Sequence, residues 1–254
     1  MKKVQKAWLA EIFTSIQGEG PLVGVRQVFL RFAGCHRRCE FCDTPAALMH
    51  KPTVWLQESA PGRDQKRANP IIVDELVTIL RGVRKEVGPV HSLSLTGGEP
   101  LLQADFLRVA LPCLRRAGWS IYLETTGDRW RELAMVLSWL DFVAMDIKLP
   151  SVTGQADAWS AHRKFLKLAT ASRAETFVKI VVSRETSKDE LRRAARLVKK
   201  VAVYVPVILQ PATPHAGVHA PTATQLACWQ ALALATGLRD VRVIPQCHVF
   251  MGQR

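Results

Sequence analysis

Short apolar runs recur seven times along the chain, at 28–32, 91–95, 120–124, 142–146, 177–182, 203–209 and 241–244. They are rich in β-branched and aromatic residues and bounded by Gly, Pro or Asp, which predicts strands. Longer segments lie between them, at 73–87, 104–117, 130–140, 158–169, 188–201 and 222–235. In the first of these, Leu76, Ile79, Leu80 and Val83 stand at i, i+3, i+4 and i+7, one face of an amphipathic helix. Ser187 precedes Asp189 and Glu190, an N-cap followed by an acidic first turn. Strand and helix alternating in this way predict an α/β fold with a mostly parallel sheet, as a full or partial barrel or a doubly wound sheet. In any of these the chemistry belongs at the carboxyl ends of the strands, here from Gly34, Thr96, Glu124, Asp146, Ser183 and Gln210 onward.

No linker divides the 254 residues, so one unit over 1–254 is expected. The irregular stretch 44–70, holding Pro45, Pro52, Pro61, Gly62 and Pro70, reads as a long loop or small insertion. A hydrophobic fraction of 48% supports a sizeable core, and no run is long enough to span a membrane. The basic start, MKKVQKAWLAEIF, is interrupted by Gln5, Lys6 and Glu11, so no signal peptide is expected. The net charge of +13 favours anionic partners. The basic residues are scattered, however, as in RRAARLVKK, and read as solvated helix faces, so nucleic-acid binding is not expected. Six cysteines are too few for a disulfide scaffold, and three fall within eight residues, which points to metal binding in a reducing, cytoplasmic setting.

Those three, Cys35, Cys39 and Cys42, form C-x3-C-x2-C just after the first predicted strand. Three thiolates supply three corners of a metal site. One completion is structural zinc with His36 or His50 as fourth ligand, although His36, between the first two thiols, would face away from a convergent set. The other is an iron–sulfur cluster with one iron left open for a ligand.

The cysteine loop GCHRRCEFC resembles the radical S-adenosylmethionine (SAM) superfamily, and so does Thr96-Gly97-Gly98-Glu99-Pro100 after the second predicted strand. The resemblance implies a partial barrel of about six parallel strands. It also implies a 4Fe–4S cluster on Cys35, Cys39 and Cys42, with SAM on the fourth iron as the source of a 5′-deoxyadenosyl radical. Paired glycines allow the close backbone approach such a cofactor needs. Within the superfamily, EIFTSIQGEG at 11–20, Cys42-Asp43-Thr44, Glu124-Thr125-Thr126-Gly127, Gln210-Pro211 and Pro245-Gln246-Cys247-His248 resemble the 7-carboxy-7-deazaguanine synthase family.

That family forms 7-carboxy-7-deazaguanine from 6-carboxy-5,6,7,8-tetrahydropterin with loss of ammonia, on the way to queuosine. By the resemblance, Ile16, Gln17, Gly18, Arg31, Thr96 and His248 contact the pterin. Phe41, Asp43, Gly98 and Glu99 contact SAM, Glu124 lies at the reacting centre, and Thr44 ligates Mg2+. Arg31 suits a carboxylate because its planar fork binds in two places. Each has a plainer alternative: a strand-end charge for Arg31, a helix cap for Thr44, an exposed tail residue for His248. The chain departs from its relatives at Asp146-Ile147-Lys148, where Ser-Pro-Lys is frequent. Asp146, Ile147 and Lys148 are carried as SAM contacts, Lys148 also as a catalytic residue. The resemblance further implies a homodimer and an external flavodoxin- or ferredoxin-like electron donor. A glycyl-radical activating enzyme shares the cluster but not QGEG and CDT, and a zinc module on nucleic acid is the non-catalytic alternative.

Overall fold

The computed structural model describes residues 5–57, 64–214 and 217–253. In chain order the strands and main helices are β1 (Leu9–Ile16), β2 (Arg26–Phe32), β3 (Thr53–Leu56), β4 (Gln65–Ala68), α1 (Val73–Val87), β5 (Ser92–Gly97), α2 (Ala104–Arg116), β6 (Ile121–Thr125), α3 (Trp130–Val136), β7 (Phe142–Asp146), α4 (Trp159–Thr170), β8 (Glu175–Val182), α5 (Lys188–Ala202), β9 (Val207–Pro211), α6 (Ala223–Leu234) and β10 (Val241–Val243). A short helix, Cys247–Phe250, follows. Among the described residues one sheet holds ten strands in the order β10-β9-β8-β7-β6-β5-β2-β1-β3-β4. From β2 through β5 to β10 every pairing is parallel. The terminal strands β10 and β4 do not pair with each other, so this is an open, partial barrel.

The period of two along each strand sorts the two faces of the sheet. Val28, Leu30, Leu93, Leu95, Val143, Met145, Val178 and Ile180 face the helices and form the main core. The intervening positions face inward. There Tyr122, Ala144, Phe177 and Ile208 form a small second apolar cluster, while Arg31, Thr96, Glu124, Asp146 and Lys179 line a cavity. The helices end as their sequences direct. Asp74 and Glu75 open α1 and Arg84 and Lys85 close it, complementing the helix dipole. Ser187 caps α5 by accepting from the Glu190 amide.

One feature differs from expectation. Residues 9–16, a motif in the sequence, form a strand antiparallel to β2. Of the two readings of the stretch 44–70, the described part follows the small insertion: it contains a helical turn at Pro45–Leu48 and the antiparallel pair β3–β4, which extends the sheet edge. Pro61 and Gly62 of that stretch, and the first four residues of the chain, lie outside the described residues. No described helix is long and apolar enough to cross a membrane.

Candidate active site

At the carboxyl ends of the parallel strands lies a cavity of about 820 Å³. Cys35, Cys39 and Cys42, on the loop after β2, all line it. The Cys42 amide donates to the Cys39 carbonyl at 3.1 Å, and the Arg37 amide to Cys35 Sγ at 3.3 Å. The loop is pinned from outside. His36 Nε2 is 3.0 Å and Arg37 Nη2 2.6 Å from the Asp128 carboxylate. Burial would raise the Asp128 carboxyl, but the hydrogen bonds from these two partners outweigh it and hold the group far below the usual range. Burial pushes the Cys35 and Cys39 thiols up, against the pull of Lys148.

His36 is thus engaged elsewhere, and His50 stacks on Trp8 with ring centroids 4.9 Å apart. Cys113, Cys228 and Cys247 do not line the cavity. Three soft sulfur donors without a fourth fit an iron–sulfur cluster with an open iron and do not fit a closed zinc site.

The Gly97–Gly98 step packs β5 against this loop. Gly97 has φ +120°, a conformation L side chains rarely adopt. A Cβ at Gly98 would collide with the Gly34 carbonyl oxygen. The space beside the sulfur donors is therefore lined by backbone, where an amino-acid headgroup such as that of SAM fits.

Two expected cofactor contacts turn their side chains away from the cavity. Glu99 is fully buried and accepts from the Leu101 amide at 3.0 Å, the Thr126 amide and hydroxyl at 2.7 Å each, and the Thr125 hydroxyl at 2.9 Å. Its carboxylate holds the turn after β6, and it is Thr125 and Thr126 that face the cavity. Ile147 packs into the main core, because strand alternation places it opposite Asp146 and Lys148.

Charged groups cross the cavity floor in sequence. Lys148 Nζ lies 2.7 Å from Asp146 Oδ2 and 5.0 Å from the centre of the Phe41 ring. Asp146 Oδ1 is buried without a hydrogen-bond partner among the described residues, 3.7 Å from Lys179 Nζ. Lys179 also pairs with Glu19. Glu19 Oε1 accepts from Gln210 at 3.0 Å and Gln246 at 2.8 Å. Burial works against the Glu19 anion, but Lys179 and Gln246 prevail and bring its pKa down to about 2. Lys179 and the bridging role of Gln246 were not read from the sequence. The available signal was a lysine at an inward position of the apolar run FVKIVV.

Glu124 receives the Thr96 hydroxyl at 2.7 Å and the Gln17 amide at 2.9 Å. Burial raises its pKa, with Lys179 opposing. Arg31 Nε lies 2.7 Å from Glu11, and its guanidinium is 5.3 Å from the centre of the Phe13 ring. Thr44 lines the cavity, and its side chain makes no cap to the turn that follows. Next to it in sequence, Asp43 converges with Glu19 and His248, their ligand atoms within 4.8 Å of one another. Ile16, Gly18 and His248 also line the cavity. There the Cys247 amide donates to the Gly18 carbonyl at 2.8 Å, and any side chain at Gly18 would overlap His248.

Residues 30–201 match the model of the radical SAM superfamily. The chain is 43% identical to the 7-carboxy-7-deazaguanine synthase of Geobacter sulfurreducens, over 97% of this chain and 98% of that protein. It is 31% identical to the synthase of Thermococcus kodakarensis, over 96% and 98%. Among solved structures, QueE from Escherichia coli shares the fold with a TM-score of 0.61 at 19% identity, over 96% of this chain and 95% of that one. A cysteine loop with three sulfur donors, a glycine step packed on it and similarity along nearly the whole length converge: the chain belongs to the radical SAM superfamily and, within it, to the 7-carboxy-7-deazaguanine synthase family.

Proposed function

We propose that this protein converts 6-carboxy-5,6,7,8-tetrahydropterin to 7-carboxy-7-deazaguanine, releasing ammonia, as a carbon–nitrogen lyase acting before queuosine. One observation carries the reading. The cavity that holds the three cysteines also presents Gln17, Glu19, Glu124, Gln210 and Arg31. Amide and carboxylate groups suit the donor-rich edge of a pterin, and a guanidinium suits its carboxylate. When bound, the cluster and SAM supply a carbon-centred radical that abstracts hydrogen.

The chain's own residues orient the two molecules. Asp146 and Lys148 hold SAM beside Phe41, Asp43 and Gly98. Ile16, Gln17, Gly18 and Thr96 position the pterin, His248 closes the cavity over it, and Glu124 stands at the reacting centre. Arg31 leaves Glu11 for the substrate carboxylate. Thr44 offers a hard oxygen to Mg2+, with the Glu19, Asp43 and His248 group alongside. We read the chain as one unit, acting as a homodimer in the cytoplasm with an external one-electron donor of the flavodoxin or ferredoxin type. Anaerobic incubation with SAM, dithionite and the carboxytetrahydropterin, followed by mass detection of the deazaguanine, tests the reading. Absence of product from cluster-loaded protein overturns it.

A further inference from the structure

The function proposed above needs an electron from outside the chain, and the surface beside the cysteine loop is rich in exposed cations. Arg38 is exposed and lies along the loop's own backbone, donating to the Cys35 and Arg37 carbonyls at 2.7 Å each. Arg37 ties the same loop to Asp128, just ahead of α3, and to the Ala156 carbonyl, just ahead of α4. These two helices pack together. Their outer faces carry Arg131, Arg163, Lys164 and Lys167, all exposed.

Acidic groups do not cancel this charge. α4 contains no Asp or Glu. Glu132 is held by Arg129 at 2.8 Å, and Asp128 is sealed under His36 and Arg37. Glu40 and Asp157 remain as exposed acids beside the loop. The cations are also held in place. Arg131 and Lys164 lie 4.4 and 5.0 Å from the centre of the same Trp130 ring. That arrangement reduces the freedom they lose when a partner docks.

We propose that this ledge is the docking surface for an acidic one-electron carrier protein, seated so that its redox centre faces Arg38 and the cysteine loop. One electron leaves the reduced carrier and enters the cluster, and no bond forms or breaks. Complementary charge brings the carrier in quickly and selects against basic proteins. Nucleic acid fits less well, since Trp130 is half-buried under its two cations and offers no open face for a base.

The test uses cluster-loaded enzyme and a reduced acidic flavodoxin, with two readouts: flavodoxin affinity by titration and cluster reduction by stopped-flow absorbance. In Arg131→Glu/Lys164→Glu, affinity and the reduction rate at low carrier concentration should each fall at least tenfold. Dithionite reduction and SAM affinity should hold. A charge-matched control on α5, Lys199→Glu/Lys200→Glu, should change either readout by less than threefold. An equal loss in the control would mean that overall charge steers the carrier, and the ledge would be refuted. So would unchanged flavodoxin binding in the first variant, with or without loss of binding to a transfer-RNA transcript. Dithionite-driven product formation by wild type reads the functional proposal separately, because neither binding nor cluster reduction depends on the pterin.

Discussion

The Gln17 side-chain amide donates to the Glu124 carboxylate across 2.9 Å, tying the turn after β1 to the end of β6. The same nitrogen lies 3.0 Å from Gln27 Oε1. Gln17 thus fixes the position of a half-buried carboxylate that lines the cavity. Replacing Glu124 by Gln should lower product formation at least a hundredfold, about 2.7 kcal/mol of barrier. Cluster content and SAM affinity should stay near wild type, because Glu124 contacts neither set of groups. Iron analysis and SAM titration beside turnover check this; parallel loss of iron would place Glu124 in a structural role.

Arg31 offers a sharper chemical comparison. Arg31→Lys keeps the charge but loses the planar fork. Pterin affinity should weaken by roughly 1–3 kcal/mol, the range for a charge-assisted pair. SAM affinity should not follow. Separate titrations of the two ligands decide, and equal losses would remove Arg31 from the substrate side.

Thr44 makes no cap in the structure, so Thr44→Val should leave the melting temperature nearly unchanged. If the hydroxyl ligates Mg2+, the stimulation of turnover by Mg2+ should shrink or vanish, while SAM cleavage without pterin persists. The ratio of rates with and without Mg2+, taken beside a thermal melt, checks both halves. An early melt with an intact Mg2+ response would identify a structural residue instead.

A pH effect on stability follows from His162, which is fully buried on α4. Its Nδ1 is 2.8 Å from the Gly127 carbonyl, which fixes the neutral tautomer with the proton on Nδ1. Burial lowers its pKa from 6.5 to about 4. The unfolded chain therefore takes up this proton first on acidification. Stability from this residue is complete above pH 6.5 and is lost as pH falls toward about 4, reaching about 3 kcal/mol. His162→Asn keeps a donor for Gly127 and removes the titration. Denaturant melts across this range should show a shallower pH slope in the variant, and equal slopes would assign the effect to other groups.

The parallel part of the fold was legible because each strand is a short apolar run between helical periods. The edge was not. β4, QKRA, is exposed along its length and has no apolar signal, and β3 follows a proline in a stretch that reads as a loop. β1 was hidden within the motif that occupies it. In the cavity, chemical type exposed the cysteines and the glycine step. Direction required the structure: Glu99 belongs to the motif yet spends its carboxylate on Thr125 and Thr126. Lys179 has no motif and gains its place only when β8 comes to lie beside β7.

The bond from the Cys247 amide to the Gly18 carbonyl joins stretches separated by nearly all of the sheet. Closing so long a loop costs entropy that is offset only once the intervening strands are in register. The wall shared by Gly18 and His248 is accordingly expected to form late in assembly. Contacts of that kind act chiefly on the rate at which the native state opens, not on the rate at which it forms. A molecule can therefore possess its helix-covered core and its sulfur donors while the substrate side still stands open to solvent.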